Sequence, residues 1–161
     1  MPIEKADRAD IPALVDLRLA YLREDRGGLD AGDAQAVADR LPAYFAAHLG
    51  KDLCCYIKRE GSEIVSCAFL LTVEKPMSPA FPNGKTGVVL NVYTKRPFRR
   101  RGYAKRILEA LIADAQAMDI SPIELKATEA GYPLYRAVGF RDDDSPYRRM
   151  KWEKQSDDTN I

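Results

Sequence analysis

The chain has 161 residues, 46% hydrophobic and 30% charged, which suits one domain with a substantial core and argues against wholesale disorder. Its 25 Lys and Arg nearly cancel 24 Asp and Glu, so the molecule as a whole has no strong attraction for nucleic acid or anionic membrane. No apolar run approaches the roughly 18 residues of a membrane span and no signal-peptide pattern is present, so a cytoplasmic location is expected.

Residues 1–153 are expected to form the domain and 154–161 a polar tail. "MPIEKADRADIPALVDLRLAYLRE" predicts a short strand and then a helix, with Asp10 as N-cap, Pro12 in the first turn, and Leu14, Leu17 and Tyr21 or Leu22 on one face. After the break "EDRGGLDAG" a second helix is predicted over 33–49, with Val37, Leu41, Tyr44, Phe45 and Leu49 apolar and Pro42 implying a kink or two pieces. "LCCYIKREGSEIVSCAFLLTVE" predicts a hairpin about Glu-Gly-Ser, and "KPMSPAFPNGK" a loop. "TGVVLNVYT" predicts a strand buried on both faces.

Residues 103–118 predict a helix whose stripe is Ala104, Ile107, Leu108, Leu111, Ile112 and Ala115. "SPIELKA" adds a strand, making a βαβ unit of parallel strands. "EAGYPLYRAVGF" predicts a short helix with Pro133 in its first turn and Gly139 at C′, and "SPYRRMKW" alternates as a closing strand. The three cysteines, Cys54, Cys55 and Cys67, have no metal-ligand spacing and are expected to be reduced thiols in the core.

Charge is concentrated locally. Between Lys75 and Leu108 there is no Asp or Glu, while Lys95, Arg96, Arg99, Arg100, Arg101, Lys105 and Arg106 crowd the end of that window. Such a run is either a nucleic-acid patch or a phosphate-binding turn feeding a helix N-terminus. Its place between a strand and a helix favours the turn: Gly102 permits a tight backbone and close ligand approach, and the first helical N–H groups attract an anion. Phe98 and Tyr103 are too few aromatics for a stacking platform, so no nucleic-acid partner is expected.

The segment Arg99-Arg100-Arg101-Gly102-Tyr103-Ala104 resembles the Arg/Gln-x-x-Gly-x-Gly/Ala signature of the GNAT superfamily of acyl-CoA-dependent N-acetyltransferases, with Arg99, Gly102 and Ala104 at its fixed positions. "VVLNVYTKRPFRRRGYAKRIL" resembles the family's strand-to-helix motif, and "IELKATEAGYPLYRAVGF" its next strand and helix, with a Tyr-x-x-x-Gly-Phe ending. The resemblance implies an α/β fold of GNAT type: a mixed, mostly antiparallel sheet with a central splayed parallel strand pair and helices on both faces.

It also implies acetyl-CoA as cosubstrate, with no metal. Val92, Tyr93 and Thr94 would pair with the pantetheine arm, Arg99, Arg100, Arg101, Gly102, Tyr103 and Ala104 would wrap the pyrophosphate, and Thr128 would sit near the pantetheine. Tyr135 would donate a proton to the departing thiolate, and the oxyanion of a tetrahedral intermediate would be held by a backbone N–H near Val92. Many relatives carry Glu where Val88 stands, so the base lies elsewhere or is a water chain; Asn91 is the candidate to orient a water or the amine. Glu24, Asp25 and Glu129 are expected to be solvated, either N-terminal acid being able to reach an acceptor amine, and His48 to lie at the surface or a helix end. The expected reaction is acetyl transfer to a primary amine of a small molecule, amino acid or peptide, possible homodimerisation being left open. The alternative is a non-catalytic acyl-CoA-binding sensor or assembly module.

Overall fold

The computed structural model describes residues 2–156. Strands β1 (Glu4–Lys5), β2 (Leu53–Glu60), β3 (Glu63–Glu74), β4 (Lys85–Thr94) and β5 (Ile123–Glu124) form one sheet in the order β1-β2-β3-β4-β5. The first three pairings are antiparallel and β4–β5 is parallel. Helices α1 (Ile11–Asp25), α2 (Ala31–His48), α3 (Tyr103–Ala117) and α4 (Tyr132–Ala137) complete the fold.

The period of two along the central hairpin divides the core. Cys55, Ile57, Cys67 and Phe69 pack with Leu14, Leu17 and Phe45 of α1 and α2. Their neighbours Tyr56, Ala68 and Leu70 point the other way, onto Ile107, Leu108 and Leu111 of α3. Helices therefore cover both faces, as the resemblance implies. All three cysteines are free thiols, with Cys55 and Cys67 buried.

Four local expectations are revised. Asp10 stands before α1 but makes no side-chain cap; Asp7 caps a preceding 3₁₀ turn, accepting from the Ala9 N–H at 2.9 Å while Asp10 accepts from the Asp7 N–H at 3.0 Å. The chain needs Asp10 elsewhere, because its carboxylate accepts from Arg59 at 2.7 Å. Of the two outcomes expected at Pro42, separate pieces are ruled out: α2 is one helix through it, giving up the bond that a residue-42 N–H would make to the Ala38 carbonyl, with Val37, Leu41 and Phe45 holding both halves on one core. Strand β4 is not buried throughout: Leu90 is 39% exposed. Finally, residues 141–156 form no strand, so β5 ends the order, and the part of the expected tail beyond 156 lies outside the described residues.

Candidate active site

The basic segment leaves β4 through a 3₁₀ turn, Arg96–Phe98, and enters α3 at Gly102. Two left-handed residues turn it, Arg100 at φ 62° and Gly102 at φ 78°. A Cβ on Gly102 would meet no atom within 4 Å, so glycine is required by its dihedral and the space above it is open. The first helical hydrogen bond runs from the Arg106 N–H to the Gly102 carbonyl, leaving the N–H groups of Tyr103, Ala104 and Lys105 ahead of it with no helical acceptor. That is the arrangement an anion occupies at a helix N-terminus.

The arginines contribute unequally. The Arg99 guanidinium grips both Glu24 oxygens, at 2.8 and 2.7 Å, and donates from Nε to the Thr94 carbonyl at 2.7 Å. Glu24 is exposed, as expected, but Arg99 holds both of its oxygens, so it is not a free base beside an amine. The hydrogen bond from Arg99 holds its carboxyl below the usual carboxylate range, against the smaller opposing effect of burial. Arg101 reaches the Pro97 carbonyl at 3.3 Å and covers the Phe98 ring, while Lys95 pairs with Glu63 at 2.7 Å. Tyr103 donates to Glu60 and lies beneath Lys58 Nζ, 5.1 Å from its ring centre. A window without acids in sequence thus has acids in space, and the turn offers backbone N–H groups more than free guanidinium groups.

Upstream, the β3–β4 register steps from Phe69↔Leu90 to Cys67↔Tyr93, leaving Asn91 and Val92 opposite Ala68 alone. This is a β-bulge, and Asn91 takes φ 54° within it. The pairing of β4 with β5 ends at Val88↔Glu124, so beyond Val88 the two parallel strands part and the edge of β4 from Leu90 to Thr94 has no β5 partner. Val92, Tyr93 and Thr94 lie along that edge. Thr94 Oγ1 is bonded to Ser66 Oγ at 2.7 Å and its carbonyl accepts from Arg99 at 2.7 Å, so this residue ties the end of β4 to β3 and to the basic turn.

Asn91 is 3% exposed. Its Oδ1 accepts from Arg18 at 3.2 Å and its Nδ2 reaches Cys67 Sγ at 3.6 Å. Both ends of the amide are engaged, so the side chain braces the bulge and Arg18; the residue's place in the bulge, not an idle amide, is what brings it to the site. Val88, half-buried in the β4–β5 pairing, supplies no base.

Tyr135 is set by the way α4 ends. The Gly139 N–H donates to Arg136 and the Phe140 N–H to Tyr135, a Schellman motif with Gly139 at φ 106°. The Phe140 ring packs edge-on against Tyr135 at 6.1 Å. At the other end of α4, Thr128 Oγ1 accepts from the Gly131 N–H at 3.1 Å, so this hydroxyl caps a turn. A Cβ on Gly131 would press on the Tyr135 ring at 3.0 Å, a close approach with no local signal in the residues around it. The Tyr135 hydroxyl makes no hydrogen bond among the described residues. Burial, then the nearby Tyr21 of α1, pushes its pKa up, so the phenol keeps its proton at neutral pH.

His48 bonds Asp52 at 2.7 Å and stacks on Tyr44. Among the described residues no group of three or more His, Cys, Asp or Glu could hold a metal ion, and no helix is long and apolar enough to cross a membrane. Sequence reasoning missed Arg18, whose approach to Asn91 joins positions 73 apart and has no local signal.

The family model described as the acetyltransferase (GNAT) family matches residues 14–140. The crystal structure of a predicted acetyltransferase with acetyl-CoA from Clostridium acetobutylicum is 29% identical, covers 92% of this chain and 94% of its own, and has a TM-score of 0.79. A GCN5-related N-acetyltransferase from Ralstonia eutropha, 24% identical over 92% of this chain and 97% of its own with a TM-score of 0.70, is similar in fold. So is the glucosamine-6-phosphate N-acetyltransferase of Arabidopsis thaliana, at 17% identity, coverage of 94% and 97%, and a TM-score of 0.69. No curated protein matches the sequence. With the family model spanning most of the chain, and a parted parallel pair and left-handed Gly102 beneath it, this protein belongs to the GNAT acetyltransferase family and is an acyltransferase.

Proposed function

We propose that the protein moves an acetyl group from acetyl-CoA to the primary amine of a small molecule by direct attack. The observation that carries this is the parting of β4 from β5 beside the bulge at Asn91 and Val92, with Tyr135 and Val92 packed on one core cluster. The pyrophosphate would lie on the N–H groups of residues 102–105, and the pantetheine amides along the open edge of Val92, Tyr93 and Thr94. The bulge leaves Val92 outside the strand register, so its N–H is suited to face the oxyanion.

The neutral amine attacks the thioester carbonyl, the C–N bond forms as the carbonyl becomes an oxyanion, and collapse breaks the C–S bond. The ammonium proton leaves to water, and the thiolate is met by the Tyr135 hydroxyl. An ordinary phenol exceeds a thiol by about 1.5 pKa units, roughly 2 kcal/mol. Burial of Tyr135 widens that gap, so the step is a hydrogen bond that strengthens as the sulfur gains charge rather than a completed transfer.

Tyr135→Phe keeps the ring and its contact with Phe140. Acetyl-CoA should bind nearly as before while kcat falls roughly 10²–10⁴-fold, the usual worth of a positioned acid, measured as thiol release after an amine screen. The wild-type rate should climb with pH as the acceptor deprotonates. Its decline from Tyr135 ionisation should lie above the ordinary phenol pKa of about 10, because the shift is upward. Undiminished turnover in Tyr135→Phe overturns the assignment. Coenzyme binding without thiol release from any amine would favour an acyl-CoA-binding module.

A further inference from the structure

We propose that Arg18 is the anion anchor of the acceptor subsite, so that the amine acetylated here carries a carboxylate. This rests on the acetyl-transfer function above and names its substrate class.

Two arginines among the described residues are not exposed, Arg18 and Arg59. Arg59 has its counterions, donating to the carboxylates of Glu4 and Asp10 at 2.7 Å each. Arg18 has no ion pair among the described residues. One of its five N–H donors meets a neutral amide oxygen, Asn91 Oδ1, and its guanidinium lies 5.6 Å from the Tyr21 ring centre. A half-buried cation left with neutral partners has lost hydration without gaining a counterion. Its remaining fork matches a carboxylate, which accepts two parallel N–H bonds.

The position suits the reaction. Asn91 belongs to the bulge beside the thioester cleft, and Arg18 lies on the α1 side of it. Tyr21, one turn further along α1, is the residue that acts electrostatically on Tyr135. One turn separates the two by about 4.5 Å along the axis. Arg18 and Tyr21 therefore share one face of α1, so an anion held by Arg18 would lie on the side of Tyr21 and Tyr135, whereas a polyamine offers Arg18 nothing. Acids close by oppose a dianion: Asp25 acts on Tyr21, and Asp52 on Tyr44, the residue of α2 that also feels Arg18. A single carboxylate fits that balance better than a phosphate.

The test is thiol release from acetyl-CoA with a panel of free amino acids and the carboxamide of each. Wild-type kcat/KM should favour the acid over its amide by roughly 10- to 100-fold, the worth of a charge-assisted hydrogen-bonded pair. Arg18→Gln should collapse that ratio towards one through a higher KM for the acid, and Arg18→Lys should retain part of it. The melting shift with coenzyme A reports whether each variant is folded; if Arg18→Gln is not, the wild-type ratio and Arg18→Lys decide. Equal use of acid and amide by the wild type, or an unchanged ratio in Arg18→Gln, overturns the anchor. Silence with every amine overturns the acetyl-transfer function instead. The anchor is then read from melting of the coenzyme A complex: stabilisation by N-acetyl amino acids but not by their amides, lost in Arg18→Gln, supports it, and no such difference overturns it.

Discussion

Asn91 shows how a residue can matter through its backbone first. At φ 54° it occupies a region that costs an L-residue roughly 1–2 kcal/mol, and it is held there by bonds to Arg18 and Cys67. Asn91→Val loses both bonds and adds a β-branched side chain that resists the left-handed dihedral. Urea unfolding should show a loss of roughly 2–4 kcal/mol, and Asn91→Gly, which accepts the dihedral, should lose clearly less. Equal losses would show that the dihedral contributes nothing. Gly102, by contrast, was legible in the sequence, because a glycine between a strand and an apolar helical stripe marks a turn whatever else the chain does. Asn91 was legible only as a polar residue in a buried strand. Its bulge depends on the register with β3, fixed by pairs such as Phe69↔Leu90 that no local pattern reports.

Among elements, α4 is the shortest α-helix of the described residues, with 6 residues, and it carries the proposed acid. So short a helix has little stability of its own, and its geometry comes from its ends: the Thr128 turn and the Schellman motif. Gly139→Ala places a Cβ at φ 106° and should cost about 1–2 kcal/mol. Because the motif ties Phe140 to Tyr135, kcat should fall further than coenzyme affinity, by steady-state kinetics beside a binding titration. Parallel loss of both would mean that the helix end only stabilises the fold. The Tyr-x-x-x-Gly-Phe string was readable because each letter has a role in ending a helix. The hairpin β2–β3 was likewise readable from alternation. At α1 the sequence placed Asp10 correctly before the helix but not its bond, since Arg59, 49 positions away, takes the carboxylate and a 3₁₀ turn capped by Asp7 leads into the helix instead.

At the scale of the molecule, near-neutral net charge conceals an ordered pairing of opposite charges. Arg59 with Asp10, Arg99 with Glu24 and Lys5 with Asp114 tie α1, the basic turn and α3 to one another and to the sheet. For Asp114 the bond from Lys5 dominates, and for Asp10 burial pushes the pKa up but Arg59 and the Asp7 N–H more than offset it. All three carboxyls sit below their ordinary values. Depressed carboxyl pKa values give stability that is present above the unfolded range near pH 4 and lost as pH falls through the lower folded values. Melting temperature should therefore be flat from about pH 5 upward for these groups and decline below about pH 4. A decline already complete at pH 5 would assign acid sensitivity to other groups.

The C-terminal segment gives the sharpest test of the whole architecture. Its alternation predicted a strand, but a strand forms only where another backbone takes its hydrogen bonds, and here local polar groups take them first. Asp143 accepts from the Ser145 N–H at 3.0 Å and from Arg149 at 3.1 Å, and Ser145 Oγ accepts from the Tyr147 N–H at 3.2 Å. Side-chain bonds of this kind compete with a sheet ladder. Tyr147, Met150 and Trp152 are left 85%, 93% and 82% exposed, while Asp143 and Arg149 of the same segment line a cleft of about 770 Å³ with Ile112, Ile123, Tyr135 and Phe140. Trp152 is the only tryptophan in the chain, so its fluorescence reports this segment without labelling. Emission should match that of N-acetyltryptophanamide in water and be quenched by acrylamide to the same extent. Blue-shifted, protected emission would instead show residues 146–152 lying against the open edge of β5, where a sixth strand would cover the cleft behind Tyr135.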